Sequence, residues 1–145
     1  MQLWLRYGLL LTATVAGAGR WIPGTDSSPA YYAVAPARPT HRLMAGRDLT
    51  GPYFSHSYQV TAYNMAGKVE KVLYSEPCHC RCDRALQHKS LHSCFEGTHG
   101  AECATCMREG IFTYQQTKLG RTPEQIRAAI DRGEAEKVDV LNATL

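Results

Sequence analysis

The hydrophobic positions of the chain follow a helical period from about residue 57 onwards. Val60, Tyr63 and Ala66 recur at steps of three residues, which places them on one face of a helix that Gly67 interrupts. The helical segment should end just before Pro77, since proline disfavours the α conformation for the residue that precedes it. This pattern predicts a helical segment that leads directly into a cluster of cysteines.

Two more helices are predicted after the cysteines. The first runs from about residue 101 to residue 119, with Gly120 as its C-terminal cap. Its apolar side is spaced at steps of three and four residues and comprises Cys103, Cys106, Met107, Ile111 and Tyr114. The second has the clearest boundary in the chain, because Thr122 suits the N-cap, Pro123 the first helical position, and Gln125 completes a capping box.

The chain before residue 57 follows neither a helical nor a strand period. Five of the seven prolines of the whole protein lie between residues 19 and 56, and proline removes a backbone donor that helices and sheets need. The fold predicted is therefore mostly α, a small cysteine-rich helical domain after a signal segment and a disordered Pro-rich linker. The expected divisions are a signal peptide at 1–18, a flexible linker at 19–56, the helical domain at 57–133 and a tail at 134–145.

The N-terminus has the pattern of an export signal. Arg6 is the only charge before a mostly apolar run that ends in Ala16-Gly17-Ala18, a small-x-small cleavage pattern. An uncleaved membrane anchor is the alternative, although the run is shorter than the about 20 residues that span a bilayer. Either way we expect the bulk of the chain outside the cytoplasm, periplasmic or secreted, with membrane contact only if this segment stays uncleaved.

Charge and motifs exclude several classes of function. The net charge is +3, from 16 Lys and Arg against 13 Asp and Glu, and no basic stripe with interleaved aromatic residues occurs. Nucleic-acid binding is therefore not expected. The sequence also has no nucleophile–base–acid set typical of hydrolases, no phosphate loop and no nucleotide fingerprint. An enzymatic activity is neither predicted nor excluded.

The candidate chemistry lies in a window of 29 positions, 78–106, which holds all six cysteines and four of the six histidines. In an extended segment alternate residues point the same way, so Cys78, Cys80 and Cys82 can line one side of it. A disulfide between neighbours in this triplet would close a very small ring with poor geometry. Three sulfurs so close together suit a soft metal ion such as Cu(I) or Zn(II), or pairing with distant cysteines.

Cys103-x-x-Cys106 adds two more sulfurs, which on a helix would lie about 5–6 Å apart at Cβ. This spacing suits two thiolates on one metal ion, and near a helix N-terminus it also suits a redox disulfide. The predicted core is small, and domains with so little to bury usually need cross-links or metal. The candidate metal ligands are Cys78, Cys80, Cys82, Cys94, Cys103, Cys106, His88 and His99.

The four histidines of this window are not equally good candidates for metal ligands. His88 is a candidate ligand or a hydrogen-bond partner that orients one, and His99 is a candidate ligand, helix N-cap or solvated loop residue. His79 and His92 are weaker candidates. Three hypotheses remain for the cysteines: structural disulfides, a bound soft metal, and a thiol–disulfide redox site. The number of cysteines alone favours disulfides, because six is an even number and the chain has features of an exported protein.

Four separated blocks of the chain resemble the PCYCGC-motif (CYCXC) family of bacterial exported proteins and lipoproteins. The blocks are Pro77-Cys78-His79-Cys80-Arg81-Cys82, His88-Lys89-Ser90-Leu91 with Cys94-Phe95, His99-Gly100-Ala101 with Cys103-x-x-Cys106, and Thr122 to Ile130. They agree with the family in order and spacing over roughly residues 60–131. His79 stands where the family usually has tyrosine and Arg81 where it usually has glycine, and the leader lacks a lipobox cysteine.

The resemblance changes the ranking of the three hypotheses. Some relatives are described as selenoproteins, with selenocysteine in the cysteine motif. Selenium suits a redox-active or soft-metal position and has little use in an inert disulfide. The chain is therefore predicted to be an exported copper- or zinc-binding protein. The alternatives are a thiol redox protein that exchanges with a redox partner, and a disulfide-stapled binding module.

Overall fold

The structure is a computed structural model that describes residues 17–145, so the predicted signal peptide lies outside the described residues except for its last two positions. The described part is mostly helical, as predicted. Its α-helices are α1 Ser57–Lys68, α2 Glu70–Leu73, α3 Cys82–Ala85, α4 Leu91–Cys94, α5 His99–Glu102, α6 Ala104–Lys118 and α7 Pro123–Asp131. Three 3-10 turns span Gly46–Asp48, Pro52–Phe54 and Glu134–Lys137. Within residues 17–145, no helix combines the length and the apolar character needed to cross a bilayer.

Helices α1 and α6 are the longest and pack against each other around the main core. The apolar face of α1 is buried as its spacing predicts, with Tyr63 and Ala66 at 1% and 0% exposure. The Tyr63 ring meets Phe95 edge to face, with ring centroids 4.9 Å apart. The break after α1 falls at Val69, which leaves the helical region at φ −127°, and not at the predicted Gly67. Gly67 remains within α1, and its φ lies outside the left-handed region that favours glycine.

The capping box of α7 forms as predicted. The Thr122 hydroxyl accepts the backbone N–H of Gln125 at 3.3 Å, and the Gln125 side chain accepts the Thr122 N–H at 3.0 Å. Two buried isoleucines of α7, Ile126 and Ile130, pack in a second, smaller core. Gly120 has φ +79°, in the left-handed region that favours glycine after a helix end. Together these contacts fix the orientation of α7 beside α6.

The predicted helix over residues 101–119 is divided in the structure. Cys103 has an extended backbone, φ −115° and ψ 108°, and separates α5 from α6. Its sulfur accepts the backbone N–H of Cys106 at 3.4 Å, so Cys103 caps α6 and does not lie within it. The prediction that both cysteines share a helix face is therefore wrong in detail, because a side-chain acceptor at the N-cap competes with continuation of the helix.

The segment before α1 contains two short strands, β1 Arg20–Ile22 and β2 Tyr31–Val34, which pair antiparallel. The backbone N–H of Tyr32 in β2 donates to the Tyr74 carbonyl at 2.8 Å, and Leu43 lies in the main core at 5% exposure. The flexibility expected of the linker at 19–56 stays a prediction. In the predicted tail, Ala135 is buried in the smaller core.

Candidate metal centre

The cysteine triplet lies on a tight loop that follows α2 and ends at Cys82, the first residue of α3. Arg81 N–H donates to the Cys78 carbonyl at 3.2 Å, which closes a turn. Arg81 itself has φ +62° and ψ +29°, a left-handed conformation that costs a non-glycine residue about 1–2 kcal/mol. The turn directs Cys78, Cys80 and Cys82 to one side, where their sulfurs lie within 4.8 Å of one another. Of the two conformations expected for the triplet, extended segment or tight loop, the structure has the loop.

The other three cysteines reach this loop from two helices, α4 and α6. Cys94 is the last residue of α4, Cys103 caps α6, and Cys106 lies in the first turn of α6. Gly100 permits the approach of α5, because a Cβ at this position would lie 2.8 Å from the Cys94 carbonyl oxygen. The main core therefore brings thiols from three parts of the chain, the 78–82 loop, α4 and the N-terminus of α6, to one place.

The sulfur atoms form a nearly continuous cluster. The Cys78 Sγ lies 3.3 Å from the Cys106 Sγ and 3.4 Å from the Cys80 Sγ. The Cys80 Sγ lies 3.7 Å from the Cys106 Sγ, and the Cys82 Sγ lies 3.4 Å from the Cys94 Sγ. These separations are close to the roughly 3.8 Å expected between two thiolates on one tetrahedral ion with metal–sulfur bonds of about 2.3 Å.

Two of the histidines complete the cluster. His88 Nδ1 lies 3.4 Å from the Cys94 Sγ, and His99 Nε2 lies 3.6 Å from the Cys80 Sγ. The two imidazole rings lie edge to face with centroids 5.2 Å apart. Contact with the Cys82 thiol raises the pKa of His88. The imidazoles thus offer nitrogen donors directly beside the sulfurs.

All eight sequence-predicted site residues belong to groups that could hold a metal ion. The ligand atoms within each group lie within 4.8 Å of one another. The two four-residue groups are Cys80, His99, Cys103 and Cys106, and Cys82, His88, Cys94 and His99. The two three-residue groups are Cys78, Cys94 and Cys106, and Cys78, Cys80 and Cys82. The donor set of sulfur and imidazole nitrogen is the one that soft and borderline metals prefer.

The six thiols carry no disulfide within the described residues. Their crowding makes their ionisation unequal. Contact with Cys103 and Cys106 lowers the pKa of Cys80, whereas contact with Cys103 raises the pKa of Cys106. Six adjacent thiols cannot all lose their protons unless positive charge enters among them, because neighbouring thiolates repel one another strongly in a buried site.

The donors of the cluster differ in burial. Cys78, Cys82, Cys94 and Cys106 are buried, each at 3% exposure or less. Cys80, Cys103, His88 and His99 are half-buried and lie towards solvent. An ion or a partner molecule would meet the half-buried donors first.

His79 faces away from the sulfurs. Its Nδ1 lies 3.0 Å from a Glu109 carboxylate oxygen, its backbone N–H donates to the same carboxylate, and its Nε2 lies 3.3 Å from Asp131. The contact with Glu109 raises the pKa of His79, and burial raises the pKa of Glu109, so the pair retains its proton readily. A cavity of about 380 Å³ lies on this side of the loop, lined in part by His79, Glu109 and Asp131.

His92 is also occupied by carboxylates. It is fully buried, with Nδ1 2.7 Å from Glu96 and Nε2 3.4 Å from Glu70, and its ring stacks on Tyr74 with centroids 3.9 Å apart. Both of its ring nitrogens are therefore engaged away from the cysteines. The lower expectation for His79 and His92 as ligands agrees with these contacts.

Two buried carboxylates beside the site were not predicted. Glu109, at 3% exposure, holds the outer side of the cysteine loop through His79. The sequence does contain a signal for Glu109, because it follows Cys106 by three residues. That spacing places a charged side chain on the same helix face as Cys106, in a largely buried helix. Glu76 is fully buried, and neither carboxylate oxygen has a hydrogen-bond partner among the described residues. Burial raises the pKa of Glu76 to about 9, so it is neutral at pH 7.

Comparison of the chain with models of protein families, with curated proteins and with solved structures finds no match. The geometry of the site is therefore the basis for any functional conclusion. That geometry is a cluster of thiols and imidazoles that could hold a metal ion.

Proposed function

We propose that the chain is an exported protein that binds a soft metal ion, copper or zinc, through its clustered thiolates and imidazoles. One observation carries the proposal: the six cysteines, with His88 and His99, bring their ligand atoms together from separate parts of the chain without a disulfide among them. Side chains converge in this way at a cost in entropy and charge repulsion, and a bound cation offsets both.

The chemistry of the donors supports this choice of metals. Thiolates select Cu(I) and Zn(II), and imidazole suits both ions. The absence of a carboxylate from the groups that could hold an ion, within the described residues, disfavours Mg(II) and Ca(II), which prefer oxygen. On binding, each cysteine loses its S–H proton to solvent and forms a metal–sulfur bond, so the imidazoles need to be neutral and the thiols ionised.

The location of the protein is part of the same proposal. The apolar N-terminal run with its small-x-small end supports export, and the resemblance to the PCYCGC-motif family supports the same location. Thiols outside the cytoplasm face oxidation, and bound metal would protect them. This gives a physical reason for six cysteines to remain unpaired in an oxidising compartment.

The test is the metal content and thiol state of the full chain purified without oxygen. The proposal expects bound copper or zinc measured by plasma mass spectrometry, and six titratable thiols after the metal is removed with a chelator. Three disulfides with no bound metal would overturn it and would favour the disulfide-stapled binding module. A Cys80→Ser variant is expected to retain less metal than Ser90→Ala, a control in the same segment but outside the cluster.

A second candidate function is thiol–disulfide exchange with a redox partner. The observation that favours it is the position of Cys103, half-buried at the N-terminus of α6 and 3.4 Å from the Cys106 N–H. A cysteine at a helix N-terminus with a second cysteine three residues later is a common redox arrangement. This hypothesis expects a reduction potential in the biological range and slower exchange in both Cys103→Ser and Cys80→Ser. Unchanged exchange rates in both variants would exclude it.

A further inference from the structure

The eight donors are too many for one ion. A four-coordinate soft ion uses four ligands, and the cluster contains two sets of four that each lie within the required distance. The first set, the outer quartet, is Cys80, His99, Cys103 and Cys106. The second, the inner quartet, is Cys82, His88, Cys94 and His99. The two quartets have His99 alone in common, so the cysteines divide between them without competition.

Cys78 is the sulfur that neither quartet contains, and it lies between them. Its Sγ is 3.3 Å from Cys106 and 3.4 Å from Cys80, both in the outer quartet. It also forms a group with Cys94 of the inner quartet and with Cys106, in which all three sulfurs lie within 4.8 Å. Cys78 is buried, at 3% exposure. A thiolate has several lone pairs, so a sulfur in this position can contact two ions at once.

We propose that the site holds two soft metal ions, one in each quartet, joined by the Cys78 thiolate, an inference that rests on the proposed metal-binding function. Because Cys78 binds both ions, it is the fourth ligand of the ion that lacks His99 and a fifth ligand of the ion that binds His99. Six thiols lose six protons to solvent, and two divalent cations then leave the cluster with a net charge of −2. The same cluster with a single divalent ion would carry −4 if fully ionised, which is far less favourable in a buried site.

The two ions differ in their access to solvent. Three members of the outer quartet are half-buried, two of them cysteines, Cys80 and Cys103. The inner quartet has two half-buried members, both histidines, and both of its cysteines are buried. Metal exchange by competing ligands begins at an exposed donor. The outer ion is therefore the one that a chelator or an acceptor thiol removes first, and the inner ion follows more slowly.

The test uses the full chain, reduced and freed of metal, loaded anaerobically with Zn(II) and weighed intact by native mass spectrometry. Two zinc ions per chain are expected, with chelator removal in two kinetic phases. A single bound ion would overturn the two-ion inference and leave the proposed function intact. No bound ion would overturn the proposed function as well, so the two failures are distinguishable.

The Cys78 bridge has its own readout. After loading with ¹¹³Cd(II), the protein is expected to give two cadmium resonances in the region of sulfur-rich ligation, each split by coupling to the other through the shared sulfur. Two resonances without mutual coupling would overturn the bridge. Cys78→Ser should abolish the coupling, and Ser90→Ala, a control outside the cluster, should preserve it.

Two variants separate the quartets. Cys103→Ser removes a half-buried donor from the outer quartet and should lose the fast phase of zinc removal while it retains one ion. His88→Ala removes a half-buried donor from the inner quartet and should make the slow phase faster. Both residues lie at the edge of the core, and circular dichroism of each variant identifies any loss of fold. Loss of both ions from folded Cys103→Ser would overturn the division into quartets.

Discussion

The loop of residues 78–82 has two sides with opposite chemistry. On its inner side three sulfurs face Cys94, Cys106 and the rest of the thiol cluster. On its outer side His79 is bound by Glu109 and Asp131, and these three groups line a cavity. A turn of five residues thus separates soft sulfur donors from hard oxygen donors. The difference shows that residue type alone does not make a histidine a ligand, because its neighbours decide which atoms its nitrogens meet.

The four histidines of the cysteine window divide in the same way. His88 and His99 lie against sulfur, with nitrogen–sulfur distances of 3.4 and 3.6 Å. His79 and His92 each use both ring nitrogens on carboxylates. We therefore expect changes on the inner side to remove metal, and changes on the outer side to alter stability or loop geometry with smaller effects on metal.

The largest effect, a loss of metal affinity, is expected from Cys106→Ser. Cys106 belongs to the outer quartet and to the trio with Cys78 and Cys94, so its sulfur contacts most of the cluster. Loss of a direct ligand should weaken metal binding by more than about 100-fold, since even the removal of outer partners of ligands costs about 10–100-fold. Competition with a chromophoric chelator measures it, with Thr105→Ala as the neighbouring control. Equal affinities in the two variants would contradict the assignment.

A matched pair of histidine variants tests the division of the two sides directly. His99→Ala is expected to lose about 100-fold in metal affinity, whereas His79→Ala should lose no more than about tenfold through loosening of the loop. The same chelator competition gives both values. A larger loss in His79→Ala than in His99→Ala would reverse the roles assigned to the inner and outer sides.

The buried carboxyl of Glu76, beside the loop, should make the free energy of unfolding depend on pH. Burial raises the pKa of Glu76 to about 9 from an ordinary value of 4.5, so the folded chain keeps a proton that the unfolded chain releases. Stability should therefore fall as the pH rises through this window, by up to about 1.4 kcal/mol per pH unit. Denaturant unfolding of the metal-loaded protein at pH 6 and pH 8 measures the slope.

The control for this effect is a second carboxylate. Glu76→Gln should remove the contribution of Glu76 to the slope, because an amide has no proton to release in this range. Glu124→Gln, on the exposed first turn of α7, should leave the slope as it is. If Glu76→Gln and the unaltered chain depend on pH to the same extent, the carboxyl is not held neutral in the fold.

The smallest effect is expected at Arg81, the residue that turns the loop. Its left-handed backbone, φ +62°, is tolerated by asparagine and strained for a β-branched residue. Arg81→Val should therefore be less stable than Arg81→Asn by about 1 kcal/mol, although both lose the guanidinium. Thermal unfolding of the metal-loaded variants gives the difference. Equal stability would show that the turn is not held in this conformation.

Much of the helical structure could be predicted from local sequence. The capping box of Thr122 and Gln125, and Gly120 at a helix end, act within a few residues, so their effect can be read without knowledge of the fold. The hairpin of β1 and β2 escaped prediction, because strands of three and four residues are too short to show alternation. Its contact with the Tyr74 carbonyl is a tertiary interaction that no local pattern contains.

The residues of the candidate site could be predicted from the sequence, but their spatial arrangement could not. Cysteines and histidines concentrated in one window identified the eight residues, but their division into quartets depends on how α4, α5 and α6 pack. The break at Cys103 follows from a sulfur that accepts a backbone N–H, which competes with a regular helix over the same residues. The roles of Glu76 and Glu109 depend on burial, and their sequence neighbourhoods do not reveal it.

The central claim, that thiols distant in the sequence bind metal together with imidazole, is tested most directly by zinc K-edge X-ray absorption on the anaerobically loaded full chain. We expect a dominant shell of sulfur at about 2.3 Å with a minor shell of nitrogen at about 2.0–2.1 Å. The minor shell should shrink in His88→Ala and stay unchanged in His92→Ala. A shell of oxygen and nitrogen alone, with no sulfur, would contradict the claim.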